Sequence, residues 1–138
     1  MTVYLDASVV VRKLQREAGS LKGWGQWERA YSSELLRVEV LRAVHRARLR
    51  GALTDNEVAD IVTKARAILD GLELLQLSPS ILNRAAQSSL TPLGTLDALH
   101  LATAVRLVES TGIELTFFTH DAELATAARS MNFEVEGV

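Results

Sequence analysis

The chain has 138 residues, 48% of them hydrophobic, no cysteine and a net charge of −2, which fits a single folded domain over residues 1–138 and excludes a disordered or collagen-like chain. Absence of cysteine removes disulfides, thiolate metal sites and cysteine nucleophiles together. No uncharged apolar run approaches the roughly 18 residues that span a bilayer, so the expectation is a cytosolic protein with no membrane partner.

In chain order, Thr2 to Leu5 is a β-prone run with the look of a strand buried on both faces, and Asp6 sits at its end. Ser8 is expected to cap a helix through Val9 to Leu14 that Gly19 closes, and a second short helix is expected around Trp24 and Trp27. Tyr31 to Ser33 reads as a second strand, followed by a helical pattern from Glu34 to Arg50 that stops at Gly51. Thr54, with Glu57 three residues on, is a capping box that opens a helix running to Asp70 and ending at Gly71.

Leu72 to Leu77 reads as a third strand, and Pro79 starts a helix from Ser80 to about Ser88. The segment from Ser88 to Gly94 is a loop containing Pro92. It precedes an amphipathic helix from Thr95 to about Glu109, with Gly112 beyond it. Leu115 to Thr119 is the fourth strand, Asp121 caps a helix through Ala127 and Ala128, and Phe133 to Val135 adds an edge strand. Strands separated by helices call for a mostly parallel sheet of 4–5 strands with helices on both faces, a three-layer α/β/α sandwich. Such sheets bind ligands beyond the carboxyl ends of their strands, near a topological switch point.

That rule gives meaning to the acids. Asp6 ends the first strand, Asp121 follows the fourth by two residues, and Asp97 lies in the first turn of a helix. Each alone has an ordinary explanation as a cap or a partner of the helix dipole. Glu39 is harder to explain away, because Leu35, Leu36 and Ala43 are apolar helical neighbours and only Arg42 offers a salt bridge. Glu34 competes for its role but stands where helix capping accounts for it.

Crowded carboxylates repel one another unless hard dications sit between them, and ions such as Mg²⁺ take oxygen ligands and keep waters for substrate phosphates. One or two such ions serve an in-line displacement at a phosphodiester. Without these four acids the net charge of −2 becomes +2. Arginine outnumbers lysine twelve to three, and Arg37, Arg42, Arg46, Arg48 and Arg50 face only Glu39 between them. Such a run suits phosphate recognition as well as a plain solvated helix face.

The segments Val3-Tyr4-Leu5-Asp6-Ala7-Ser8, Ser33-Glu34-Leu35-Leu36-Arg37-Val38-Glu39-Val40-Leu41, Thr95-Leu96-Asp97-Ala98-Leu99-His100-Leu101-Ala102-Thr103-Ala104 and Phe118-Thr119-His120-Asp121 resemble PIN-domain ribonucleases, and more narrowly VapC toxins. The resemblance spans essentially the whole chain, and it implies a PIN-like nuclease domain. By it, Asp6, Glu39, Asp97 and Asp121 map onto the metal-binding acids, with Ser8 and Thr119 as supporting polar groups. Glu123 is the alternative to Asp121, and His120 departs from the residue expected there. The same resemblance implies dependence on Mg²⁺ or Mn²⁺, endonucleolytic attack on RNA such as transfer or ribosomal RNA, a cognate antitoxin and a homodimer.

Other readings fare worse. Hard-cation sites prefer oxygen, so His100 reads as a satisfied core histidine rather than a ligand. Trp24 and Trp27, at i and i+3, read as one packed face rather than a base-stacking platform. Gly19, Gly23 and Gly25 lack the context of a dinucleotide loop. A receiver domain lacks its lysine, since the last one is Lys64, and a haloacid-dehalogenase-type phosphotransferase would need an Asp where Ser8 stands. The remaining rival is a catalytically inactive PIN-like module that binds RNA or a protein partner.

Overall fold

Five short strands, β1 (Thr2–Leu5), β2 (Arg29–Ser33), β3 (Glu73–Leu75), β4 (Thr116–Phe118) and β5 (Glu134–Glu136), form one sheet in the order β3-β2-β1-β4-β5, with every neighbouring pair parallel. They are seen in a computed structural model that describes residues 1–15 and 23–138. The crossovers are α1 (Ala7–Leu14), α2 (Leu35–Leu49), α3 (Asp55–Asp70), α4 (Pro79–Ala85), α5 (Thr95–Thr111) and α6 (Ala122–Ser130). This is the α/β/α sandwich expected from the alternation of strand and helix patterns.

Alternation along each strand divides the core in two. Val3, Leu5 and Phe118 pack on one face against Val9 and Val10 of α1, Leu36, Val40 and Val44 of α2, and Ala65 and Leu69 of α3. Tyr4, Tyr31 and Phe117 point the other way, against Leu101, Ala104 and Val105 of α5 and Leu124, Ala127 and Ala128 of α6. Leu36 and Leu124 are fully buried, each contributing on the order of 2 kcal/mol of hydrophobic stabilisation.

Several local features differ from the expectations. Asp6, not Ser8, caps α1: its extended backbone at the end of β1 lets the carboxylate accept from the Ser8 and Val9 amides, and Ser8 falls inside the first turn. Gly19 lies outside the described residues. No helix forms around Trp24 and Trp27, because Gly23 and Gly25 take positive φ of 73° and 83° that no right-handed helix admits. The two indoles instead meet edge to face at 5.2 Å, and Trp27 packs on Phe118.

Glu34 occupies the N-cap position of α2 without capping it; its Oε1 accepts from the Leu77 amide at 3.0 Å and ties the end of β3 to the start of α2. That β3 is only Glu73–Leu75 and α4 ends at Ala85 shortens two expected elements. The Thr54–Glu57 capping box is present in both directions, and Gly112 ends α5 with φ 73°. Among the described residues no helix is long and apolar enough to cross a membrane.

Candidate active site

The sheet order makes the boundary between β1 and β4 the point where connections diverge to the two sides. Register pairs Leu5 with Phe118, so the next residues, Asp6 and Thr119, emerge side by side beyond the carboxyl ends. Asp6 is almost completely buried. Its Oδ1 accepts from the Ser8 amide at 3.0 Å, the Ser8 hydroxyl at 2.6 Å and the Val9 amide at 3.4 Å, and its Oδ2 accepts from the Thr119 hydroxyl at 2.7 Å. Burial raises the Asp6 carboxyl above its ordinary value, while the Ser8 and Thr119 hydroxyls act in the opposite direction.

Thr119 and Ser8 also bind the chain that follows β4. The Thr119 hydroxyl accepts from the Asp121 amide at 3.0 Å, and the Ser8 hydroxyl accepts from the His120 amide at 2.9 Å. Asp121 caps α6 through Oδ1, which takes the Leu124 amide at 2.8 Å. The expected supporting residues are therefore the hinge pins between Asp6 and Asp121. Glu123 lies in the first turn of α6, where its backbone carbonyl accepts from Thr91.

Asp97 stands in the first turn of α5, half-buried, and makes no hydrogen bond among the described residues. Burial first, then the negative charge of Asp121 and of Asp6, push its carboxyl up to about 6, and Glu39 adds in the same sense. All four acids named from the sequence therefore lie in one electrostatic neighbourhood. Glu39 enters it from α2 with its side chain 15% exposed and does not pair with Arg42. Its Oε1 meets His100 Nε2 at 2.6 Å instead.

His100 was expected in the core and is there, 1% exposed. What the sequence did not reveal is that both ring nitrogens are engaged, Nε2 by Glu39 and Nδ1 by the Tyr4 hydroxyl at 2.8 Å. The helical neighbours of each residue give no hint of this, because the three partners come from β1, α2 and α5.

The sequence matches the PIN domain over residues 3–130. The chain belongs to the PIN-domain family. It is 33% identical to Ribonuclease VapC47 of Mycobacterium tuberculosis (strain CDC 1551 / Oshkosh), across 95% of this chain and 93% of that protein. It is 34% identical to Ribonuclease VapC46 of Mycobacterium tuberculosis (strain ATCC 25618 / H37Rv), across 96% of this chain and 95% of that protein. The match places this PIN domain among the VapC-type ribonucleases.

The donor chemistry of the PIN domain fits a hard dication. Its acids offer oxygen alone, and Asp97 faces like charge with no protein donor of its own, a deficit that a cation removes. Among the described residues, no three acidic, thiol or imidazole side chains already converge into a ligand cage. Asp6 and Asp121 are turned to backbone and hydroxyl donors and Glu39 to His100.

Proposed function

We propose that this PIN domain, residues 1–138, is the toxin of a type II toxin–antitoxin pair and hydrolyses RNA phosphodiester bonds endonucleolytically with Mg²⁺ or Mn²⁺. Asp6, Glu39, Asp97 and Asp121 would hold the ion, supported by Ser8 and Thr119. The observation that carries the reading is the Asp97 carboxyl, pushed up to about 6 by burial and by the other three acids at the carboxyl edge of a parallel sheet. When bound, the ion supplies Lewis-acid stabilisation of charge developing on the phosphate.

The protein's own contribution is placement. Ser8 and Thr119 fix both oxygens of Asp6; Asp121 is held by its own cap; Asp97 remains without a competing donor. A groove of about 480 Å³ between α1 and α2 is lined by Ser8, Glu39, Arg42 and Arg46 among others. Guanidinium groups there suit the phosphates of an RNA strand leading to the acids. Structured RNA such as transfer or ribosomal RNA is the proposed substrate. Likeness to the two VapC ribonucleases further supports a cognate antitoxin as partner, and a cytoplasmic setting and a homodimer are proposed with it.

The test is cleavage of RNA by purified, partner-free protein with Mg²⁺ or Mn²⁺, with EDTA and an Asp6→Asn variant alongside. Cleavage that EDTA abolishes and Asp6→Asn reduces at least a hundredfold is expected. Equal cleavage by both proteins would overturn the reading, and metal-dependent RNA binding without cleavage would indicate the inactive module.

A further inference from the structure

The hydrogen bonds of His100 carry more information than burial alone. A carboxylate only accepts, so the 2.6 Å contact with Glu39 Oε1 requires a proton on Nε2. In the neutral ring Nδ1 is then an acceptor, and the group facing it is the Tyr4 hydroxyl at 2.8 Å. Two neighbouring hydroxyls direct their protons elsewhere: Ser32 to the Leu5 carbonyl at 2.6 Å and Thr103 to the Leu99 carbonyl at 2.7 Å. Of the groups around it, His100 Nδ1 is the one that the Tyr4 hydroxyl meets in a hydrogen bond among the described residues, so the Tyr4 proton points into Nδ1. Tyr4 is itself fixed, fully buried and stacked on Phe117 at 5.3 Å.

We infer that Tyr4 and His100 form a relay that holds the Glu39 carboxylate: Tyr4 donates into Nδ1 and sets the tautomer, and Nε2–H anchors Oε1. The inference rests on the proposal that Glu39 is a metal ligand. Glu39 reaches the site on a flexible side chain, and Oε2 makes no hydrogen bond among the described residues. Anchoring one oxygen removes rotamer freedom before a cation arrives, as hydrogen bonds to metal ligands commonly do. His100 and Tyr4 are positioning residues, since neither is placed to touch substrate.

Two measurements test this. The first needs no metal: long-range ¹H–¹⁵N NMR of the histidine rings near pH 8 should show His100 protonated at Nε2 alone, and any proton on Nδ1 overturns the relay. The second is Mn²⁺ affinity by titration calorimetry. His100→Leu should bind Mn²⁺ about tenfold or more weakly, the usual size of such outer contacts, with His100→Gln recovering part of the loss. In a Glu39→Gln background His100→Leu should change affinity little. An undiminished loss in that background, or native affinity in His100→Leu, overturns the inference.

Should His100→Leu fail to fold, Tyr4→Phe carries the same test: several-fold weaker Mn²⁺ binding supports the relay and unchanged affinity overturns it. Failure of the unmodified protein to bind Mn²⁺ would instead strike at the proposed function, with the NMR result still deciding the hydrogen bonds.

Discussion

Two carboxylates of the same site, Asp6 and Asp97, are held in opposite ways. At the end of β1, Asp6 is buried but meets four donors, two of them hydroxyls whose own positions are fixed by the chain after β4. In the first turn of α5, Asp97 is only half-buried yet has charge around it and no donor. Asp6 therefore serves the framework as well as the proposed site, whereas Asp97 keeps its carboxyl among like charges at some cost to the fold. One acidic cluster thus contains both a structural anchor and a destabilised group.

The largest effect that would test this contrast is on activity. Asp97→Asn should lower RNA cleavage at least a hundredfold while leaving the melting temperature of the metal-free protein unchanged or raised; a drop of several degrees would end the comparison. Asp6→Ala should behave differently, costing about 2 kcal/mol by chemical denaturation without metal, because it removes a helix cap and leaves the Thr119 hydroxyl without its acceptor. Thr119→Val should cost about 1–2 kcal/mol, since the Asp121 amide and Asp6 Oδ2 both lose a partner.

The smallest effect is on pH dependence. Asp97 titrates at about 6 in the fold against 3.8 when unperturbed, so between those values the folded state holds the extra proton and stability falls as pH rises through this window. Asp6, also raised, acts in the same direction. The metal-free protein should therefore melt at a higher temperature at pH 5 than an Asp97-independent profile predicts. Subtracting the Asp97→Asn profile isolates the contribution, and identical profiles would contradict the assignment.

Where the candidate acids sit was largely legible, since Asp6 ends β1, Asp121 follows β4 and Asp97 lies in the first turn of α5. Asp6, Asp97 and Asp121 follow from where apolar runs stop and helices start, and the crossover rule then collects them at one edge. What stayed hidden depends on contacts distant in sequence. Ser8 looked like the cap of α1 because a hydroxyl before an apolar run is the local signal, but Asp6, still extended from β1, reaches the same amides first. For Glu39 the only local partner on offer was Arg42, one turn away, yet its partner is 61 residues on, in α5. The tryptophan pair kept its packed face but not its helix, because two flanking glycines with positive φ decide the backbone there.

The placement of β4 beside β1 has a consequence for how the protein is made. The Thr119–Asp6 hydrogen bond closes a span of 113 residues, and β1, β2, β3 and the helices between them are all synthesised before β4. A growing chain can order that first half while the edge of β1 facing β4 stays open, since non-local parallel pairing must await the distant strand. At roughly 5–20 residues per second, several seconds separate the emergence of the first acid from that of the last. The cutting edge of this domain is thus completed only after the segment through β4 has left the RNA-rich machine that built it.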